Sequence, residues 1–277
     1  MAGAASNLAI RLATAAVGVP AVVALLYLAP PWAFYLVVLG TTIVGTLELF
    51  GMSHPLDGLS RWAGVGLSVV ASLVVYFRRE DPHALLALLV ALPLLALLFT
   101  LARLGDIETA ALRAFAMAAG PPLVAVPMAL LAALRSSNGG HGAGAVLLAI
   151  GLAWFADTGA YFAGRFAGRH KLYEAVSPKK TVEGAIGGLA ASVVWALLGA
   201  FVFVRGWLPP SHAVLLGLVA GALGQAGDLG ESLLKRSTGV KDSGNIVPGH
   251  GGILDRVDAL LMTSVAVFFY ARWVDWL

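Results

Sequence analysis

Long apolar segments, separated by short polar loops, constrain the fold of this chain more than any other feature. A membrane-spanning helix needs about 20 mostly apolar residues to cross about 30 Å of hydrocarbon. Charged residues, prolines and glycines divide the sequence into about nine segments of this kind. Only 12% of the residues are charged, against about 25% in soluble domains. The sequence therefore predicts an all-α, polytopic integral membrane protein with about nine transmembrane helices.

The apolar segments also predict how the chain is organised in the membrane. The spans are expected near residues 9–28, 32–50, 62–77, 85–101, 115–134, 144–162, 184–204, 213–229 and 257–276. They form an N-terminal region, 1–140, with about five spans, and a C-terminal catalytic region, 141–277, with about four and with polar loops at 163–183 and 230–256. Most of the 18 Lys and Arg residues fall on the face of the N-terminus. Because positively charged loops stay in the cytoplasm, the N-terminus and both polar loops are predicted to be cytoplasmic.

The composition excludes several kinds of site. The chain has no cysteine, so disulfides, thiolate zinc sites and a cysteine nucleophile are ruled out. A metal ion would need oxygen or imidazole ligands. The net charge of +3 is small and spread over the loops, without a basic patch that contains aromatic residues, so nucleic acid is not an expected partner.

Acidic side chains are concentrated in the segment 227–258. Asp228 and Glu231 are three residues apart at the end of the eighth predicted span, so both carboxylates lie on one helix face. Asp255 and Asp258 repeat this spacing where the ninth span begins. Four carboxylates at one depth repel one another unless a cation or shared protons neutralise them. Oxygen ligands suit Mg²⁺, so the four residues are candidate metal ligands.

The same segment carries bases and a glycine-rich turn. The bases are Lys235, Arg236, Lys241 and Arg256, and the turn is PGHGG at 248–252. Glycines let backbone N–H groups approach an anion, and a helix N-terminus favours negative charge, so these residues predict a phosphate-binding cradle. His250 is a candidate for phosphate contact or proton transfer. The alternative is a positive-inside cluster with local salt bridges and a histidine that only occupies a turn.

Two further acids lie within predicted spans. Asp157 is in the apolar sixth span, where a carboxylate is costly and therefore indicates function, with a hydrogen bond between helices as the alternative. Glu48, near the end of the second span, is interpreted as structural, with Arg61 or Arg11 as its ion-pair partner.

A second anion-binding group is predicted between the sixth and seventh spans. It consists of two hydroxyl and two ammonium side chains, Ser177, Lys179, Lys180 and Thr181. Such a group would also attract phospholipid headgroups in a protein without catalytic function. Together, carboxylates that hold a metal and cations that contact phosphate oxygens suit displacement at phosphorus. At the membrane surface, this predicts metal-dependent phosphoryl or nucleotidyl transfer between a soluble substrate and a lipid.

The segment 232–258, SLLKRSTGVKDSGNIVPGHGGILDRVD, closely resembles the pattern of the phosphatidate cytidylyltransferases, also called CDP-diacylglycerol synthases. The matching positions are Ser232, Lys235, Arg236, Lys241, Asp242, 248–252, Asp255, Arg256 and Asp258. The stretches DTGAYFAGR at 157–165 and SPKKTVEG at 177–184 also resemble this family. The resemblance therefore covers roughly residues 150–265, whereas the N-terminal half shows only compatible hydropathy.

The resemblance implies a reaction of CTP with phosphatidic acid that gives CDP-diacylglycerol and pyrophosphate for phospholipid biosynthesis. It implies a requirement for Mg²⁺ and allows a second cation such as K⁺. The phosphatidate phosphate would attack the α-phosphorus of CTP. The expected partners are CTP, phosphatidic acid and membrane lipids, and the expected location is the bacterial inner membrane.

The resemblance also implies roles for individual polar residues. The catalytic set is Asp228, Asp255, Lys241, His250 and Arg256. Asp228 and Asp255 are the first choices as metal ligands, with Asp258 and Glu231 as further ligands or their partners. The substrate-binding set is Ser177, Lys179, Lys180, Thr181, Ser232, Lys235, Arg236, Asp242, Gly251 and Gly252. Whether its first four members bind the nucleotide or the lipid phosphate stays open.

Other functions fit parts of the same pattern. A CTP-dependent kinase of a polyprenol or another lipid would release CDP, whereas a cytidylyltransferase for a different anionic lipid would release pyrophosphate. A cation-coupled transporter would use Asp157, Asp228 and Glu231 as ion ligands near the midplane of the membrane. A homodimer is a further expectation, although the small residues at 184–188 would equally serve helix packing within one chain.

Overall fold

Helices form most of the chain that the structure, a computed structural model, describes, namely residues 16, 18–136, 140–246 and 251–274. In chain order they are α1 (Gly18–Leu28), α2 (Pro31–Ser53), α3 (Gly58–Arg78), α4 (Pro82–Ala102), α5 (Ile107–Gly120), α6 (Val126–Arg135), α7 (Gly142–Ala167), α8 (Val182–Phe201), α9 (Pro210–Ser237) and α10 (Leu254–Trp273). A π-helical turn, Pro121–Ala125, joins α5 to α6. Two short strands, β1 (Lys171–Tyr173) and β2 (Ser177–Thr181), lie between α7 and α8.

Among the described residues, seven helical segments are long and apolar enough to cross a membrane. They are α2, α3, α4, the continuous segment Ile107–Arg135, α7, α8 and α9. The chain is therefore an integral membrane protein, as predicted, but the predicted number of about nine spans is not confirmed. The described part of α1 is shorter than a span, and α10, which matches the ninth predicted span, carries two acids and an arginine in its first turns.

The structure adds detail to the two predicted polar loops. The loop predicted at 163–183 contains the antiparallel hairpin β1–β2, in which Lys171 pairs with Thr181. The loop predicted to begin at 230 begins two turns later, because α9 continues to Ser237. An ion pair between Glu231 and Lys235, four residues apart, supports this extra helix. Gly239 follows the end of α9 with a φ of 75°, a left-handed conformation that favours glycine.

Small residues let the C-terminal helices pack closely. Gly159 of α7 faces α8, where an added Cβ would lie 2.5 Å from Ala191 Cβ. Gly151 lies against the indole of Trp195, whose N–H donates to Leu148 O at 3.2 Å. Gly227 of α9 faces α10, where an added Cβ would lie 2.8 Å from the backbone oxygen of Asp258. These glycines bring the ends of α7, α8, α9 and α10 together, and those ends carry most of the polar residues.

The N-terminal helices share a core with this bundle. Phe50 of α2 lies against Gly64 and Gly120, where a Cβ would come within 2.6 and 2.5 Å of its ring. One buried cluster includes Leu49, near the end of α2, and Leu254, at the start of α10. The end of α2 is thereby held beside the start of α10.

Candidate active site

Acidic residues from three helices converge where α7, α9 and α10 meet. Asp157 of α7 lies close enough to Asp228 and Asp258 for their charges to interact. Glu231 lies one helical turn after Asp228 and lines the same cavity as Asp258. The structure therefore brings together acids that the sequence separates by about a hundred positions.

Two lysines neutralise part of this acidic cluster. Lys235 is only 9% exposed, and its Nζ lies 2.8 Å from Glu231 Oε2 and 2.6 Å from Asp255 Oδ1. Lys180 Nζ lies 2.7 Å from Asp228 Oδ2. Four carboxylates in one place need a cation or shared protons, and these lysines supply two positive charges. Removing either lysine would leave an uncompensated, partly buried carboxylate.

The hairpin separates the side chains that were predicted as one compact anion-binding group. Successive side chains of a strand point to opposite faces, so Lys180 reaches Asp228 while Lys179 is exposed. The hydroxyl of Thr181 caps α8 by accepting the N–H of Gly184 at 3.1 Å. Ser177 is half-buried in β2, where it pairs with Tyr173. Lys180 is thus the member of the group that contacts the acidic cluster.

The other predicted substrate-binding residues lie around the end of α9 and the loop after it. Ser232 is half-buried on α9 itself, not in a loop as predicted. Four charged residues are exposed, namely Arg236, Lys241, Asp242 and Arg256. The Arg236 guanidinium donates to Val240 O at 3.2 Å. Pro248, Gly249 and His250 lie outside the described residues, so the predicted role of His250 stays a prediction.

Asp255 has most of its hydrogen-bonding capacity filled by the protein. Its Oδ1 binds Lys235, whereas its Oδ2 accepts the N–H of Gly252 at 2.8 Å and both the N–H and the hydroxyl of Ser243, at 3.0 and 2.9 Å. Gly251, with a φ of 81°, shapes this turn. The amide of Gly252 therefore binds a carboxylate of the protein itself. Contact of the glycine-rich turn with a substrate phosphate stays a prediction.

The acidic cluster offers few carboxylates to a single Mg²⁺ ion. Among the described residues, no three Asp, Glu or His side chains are close enough together to coordinate one metal ion. In enzymes that act on nucleotides, Mg²⁺ is usually held by one or two carboxylates together with waters and substrate phosphates. Two carboxylates of the protein are therefore sufficient. Glu231 Oε1 is buried without a hydrogen-bond partner among the described residues. This unfilled acceptor beside Asp258 is chemically suited to a hard cation.

Glu48 is connected to Asp255 through Ser243, although the sequence predicted only an ion pair with a nearby arginine. Its Oε1 accepts the N–H of Ile253 at 3.0 Å, and its Oε2 accepts the N–H of Leu254 at 2.8 Å. The hydroxyl of Ser243 lies 3.2 Å from Oε2. The predicted pairing with Arg61 is not observed, since Arg61 Nε donates to a backbone oxygen of the α2–α3 loop at 2.7 Å. The other predicted partner, Arg11, lies outside the described residues.

A cavity of about 250 Å³ opens beside the acidic cluster. It is lined by Leu49, Leu123, Val124, Ala226, Gly227, Gly230, Glu231, Leu234, Leu254, Asp258, Leu261 and Met262. Glu231 and Asp258 are the charged residues of this wall, which is otherwise apolar. Both halves of the chain contribute to it. The cavity can therefore accept an apolar group next to a polar, metal-suited site.

Comparison with known proteins identifies the class to which this fold and site belong. Residues 9–274 match the model of the cytidylyltransferase family. Because the match covers nearly the whole chain, the protein belongs to this family. The acids, lysines and apolar cavity of its helical bundle are thus the candidate active site of a cytidylyltransferase-family protein.

Individual relatives carry a more specific name. A phosphatidate cytidylyltransferase of Synechocystis is 45% identical over 124 residues, which are 45% of this chain and 42% of the relative. The Bacillus subtilis protein of the same name is 47% identical over 116 residues, 42% of this chain and 43% of the relative. That of Staphylococcus aureus is 48% identical over 118 residues, 42% of this chain and 44% of the relative. Each match covers less than half of the relative's length.

Proposed function

We propose that this protein transfers the cytidylyl group of CTP to phosphatidic acid in phospholipid biosynthesis. The products are CDP-diacylglycerol and pyrophosphate. The observation that carries the proposal is the acidic cluster of Asp157, Asp228, Glu231 and Asp258, of which Glu231 and Asp258 line an apolar cavity. The cavity suits a lipid, and the cluster with its lysines suits phosphates. Membership of the cytidylyltransferase family and the names of the relatives support the same reaction.

The reaction is a displacement at phosphorus. An oxygen of the phosphatidate phosphate forms a bond to the α-phosphorus of CTP, and the bond from that phosphorus to the bridging oxygen of the β-phosphate breaks. The electron pair leaves with pyrophosphate. A phosphate monoester is an anionic nucleophile near neutral pH, so the protein needs no strong general base. Its tasks are to orient the two phosphates, compensate their charge and exclude water.

Different basic residues are proposed to bind different phosphates. Lys180, which already contacts a carboxylate, is proposed to bind a substrate phosphate at the inner end of the site. Arg236, Lys241 and Arg256 are exposed around the site and are proposed to bind the triphosphate of CTP. Arginine and lysine both bind phosphate through charged hydrogen bonds. His250 stays a prediction for the same task.

Mg²⁺ is the proposed cofactor. Asp258 and Glu231 would hold it, because Asp258 and the unfilled Glu231 Oε1 lie together at the cavity wall. Asp228, whose charge interacts with that of Asp258, would add negative charge beside the ion. When bound, the ion compensates negative charge on the transferred phosphate. Asp255, the other first choice from the sequence, is proposed to hold Lys235 and the turn before α10. A second cation such as K⁺ stays a prediction.

The topology proposed for the membrane follows from the charge distribution. We assign α10 and the segment that contains α1 as spans in addition to the seven of sufficient length, which gives nine. The N-terminus and the acidic cluster then face the cytoplasm, where CTP is available. A bacterial inner membrane is the proposed location, since the matched relatives are bacterial. A homodimer stays a prediction.

The direct test uses purified protein in detergent with phosphatidic acid, labelled CTP and Mg²⁺. We expect a labelled lipid and pyrophosphate in equal amounts, both abolished by EDTA and restored by excess Mg²⁺. Release of CDP with a phosphorylated lipid would indicate a lipid kinase instead. If the protein does not turn over phosphatidic acid but does turn over another anionic lipid, that lipid is its substrate. Absence of turnover with every anionic lipid would favour the transporter.

A further inference from the structure

The N-terminus of α10 has no capping side chain of its own. The N-cap position is Ile253, which carries no oxygen to accept the free N–H groups of the first turn. Glu48 of α2 supplies this acceptor from 205 positions earlier in the chain, through Ile253 N–H at 3.0 Å and Leu254 N–H at 2.8 Å. The positive end of a helix also favours a negative side chain at this place. A second helix therefore caps α10.

The cap is connected to the acidic cluster by hydrogen bonds. The hydroxyl of Ser243 lies 3.2 Å from Glu48 Oε2 and 2.9 Å from Asp255 Oδ2. Asp255 in turn binds Lys235 at 2.6 Å, and Lys235 binds Glu231 at 2.8 Å. A continuous network thus runs from α2, through the loop, to α10 and α9.

The surroundings of Glu48 are closely built around its carboxylate. Glu48 is 7% exposed and Ser243 is 9% exposed. A Cβ at Gly252 would lie 2.5 Å from Glu48 Oε2, and one at Gly244 would overlap Oε1. The loop can therefore close over the carboxylate only because glycine stands at both positions. The neighbouring residue of α2, Leu49, lines the apolar cavity, so the same turn of α2 contacts both the cavity and the cap.

We propose that Glu48 is a positioning residue for the transfer reaction. It holds the start of α10 and, through Ser243, the Asp255 side chain, and so fixes where Asp258 and the Lys235–Glu231 pair lie. Its carboxylate is buried and bound by the protein itself, so it acts on the reaction through other residues. Its importance for turnover rests on the proposed function, whereas its role as a cap does not. Because a displacement of about 1 Å in a catalytic group can lower a rate about a hundredfold, loss of this cap should be visible in kcat.

The test compares Glu48→Gln with wild type in two measurements. Glutamine keeps the size of the side chain but has one acceptor oxygen, so one N–H of α10 loses its partner. Hydrogen–deuterium exchange in detergent should become about tenfold faster in peptides that cover residues 251–258, and change less than twofold elsewhere. In the CTP assay, kcat should fall at least about tenfold, with the KM of either substrate changed less than threefold.

Thr46→Val is the matched control. Thr46 is also buried in α2, two residues before Glu48, but its hydroxyl donates only to its own helix, to Thr42 O at 2.7 Å. We expect its exchange at 251–258 and its kcat to stay within about twofold of wild type. Equal effects of the two substitutions would show that any buried polar change in α2 disturbs the site, which would overturn the proposal.

The two measurements separate the possible failures. Unchanged exchange at 251–258 in Glu48→Gln overturns the cap, whereas faster exchange in every helix identifies a folding defect, in which case Ser243→Ala decides the proposal. Faster local exchange with unchanged kcat overturns the link to the reaction. If the wild type makes no CDP-diacylglycerol, the proposed function fails, while the exchange measurement still decides the cap.

Ser243→Ala provides a second variant, which carries the test should Glu48→Gln not fold. It removes the hydroxyl between Glu48 and Asp255 but leaves the cap of α10 in place. We expect a fall in kcat of about threefold to tenfold and unchanged exchange at Ile253 and Leu254. When both variants fold, the double variant should lose little more activity than Glu48→Gln alone, because the two changes break one network. Unchanged kcat in Ser243→Ala, or fully additive losses, would contradict the network.

Discussion

Helices α4 and α7 show that the most apolar part of this protein is not the most buried. The apolar stretch of α4 has a mean hydropathy of 2.8, yet only 17% of it is buried. The corresponding stretch of α7 has a mean hydropathy of 1.5 and is 50% buried. Leucines cover the surface of α4, whereas glycines and alanines face the neighbours of α7.

The membrane explains this inversion. Lipid tails are as apolar as leucine, so transfer of a leucine from lipid into the protein gains little. Close backbone approach and paired polar groups instead decide which helices lie inside. The bundle of α7, α8, α9 and α10 has both, with glycines along its contacts and the acid–lysine cluster at its end. We therefore expect changes in this bundle to be costly and changes on the outer face of α4 to be tolerated.

The largest effect is expected for Asp228→Asn. Loss of this charge removes a carboxylate beside the proposed metal ion and leaves Lys180 without its partner, so kcat should fall at least about a hundredfold. The protein should insert and elute as wild type does. Glu80→Gln is the control, since Glu80 is exposed and pairs with Arg272 outside the cluster. Activity of Asp228→Asn within threefold of wild type would remove Asp228 from the site.

Lys180→Met should have the next largest effect. The methionine keeps most of the apolar stem but loses the charge, so the KM of one substrate should rise about tenfold to a hundredfold, as expected for loss of a charged hydrogen bond. Steady-state kinetics with each substrate varied in turn will identify which one. Lys179→Met, the exposed neighbour on the opposite face of β2, should change either KM less than threefold. Identical kinetics for both variants would assign Lys180 a general role at the membrane surface.

Gly151→Ala tests the packing of the bundle. An added methyl group would overlap the indole of Trp195, so we expect the free energy of unfolding in detergent to fall by about 1–3 kcal/mol. Gly40→Ala in α2 is the control, because nothing lies within 4 Å of its added Cβ. That variant should be neutral or more stable by up to about 1 kcal/mol, from helix propensity. Equal destabilisation by both would contradict the role of close packing.

The smallest effect is expected for Leu97→Ala on α4. Leu97 is 58% exposed in a helix that faces lipid, so unfolding in detergent should change by less than about 0.5 kcal/mol. Leu92→Ala on the same helix is the comparison, since Leu92 is buried beside Ala71 and Ala125. It should destabilise by more, because it leaves a cavity. A larger loss for Leu97→Ala than for Leu92→Ala would reverse the comparison.

The elements that could be predicted are those with a local signal. The second span was predicted at 32–50 and is observed as Pro31–Ser53, because a run of apolar residues of sufficient length must form a helix in a membrane. Asp228 and Glu231 of α9 were predicted to share one helix face because they are three residues apart, which is also a local signal. The hairpin β1–β2 has only three and five residues, too few for a pattern, and was missed. The polar end of α9 was indicated only by the spacing of Asp228 and Glu231, because the predicted apolar span ended at 229 whereas the helix continues to Ser237.

Glu48 shows why the candidate site could be predicted only in part. The rule that a carboxylate within a span indicates function was applied to Asp157 and applies equally to Glu48. Its partners, however, are the backbone amides of Ile253 and Leu254, and a backbone amide has no signature in the sequence. A nearby arginine was therefore the expected partner.

The sequence by itself determined that this chain is a helical membrane protein, which residue types its site contains and the family it resembles. Those properties follow from composition and from spacing along one segment. The tertiary structure decided which lysine pairs with which acid, that Asp255 is held by Ser243 and Gly252, and that α2 caps α10. Such contacts depend on how separate helices pack. Because lipid and the protein interior are almost equally apolar, hydrophobicity does not select the packing in a bilayer, and close contact of small residues and pairing of polar groups decide it.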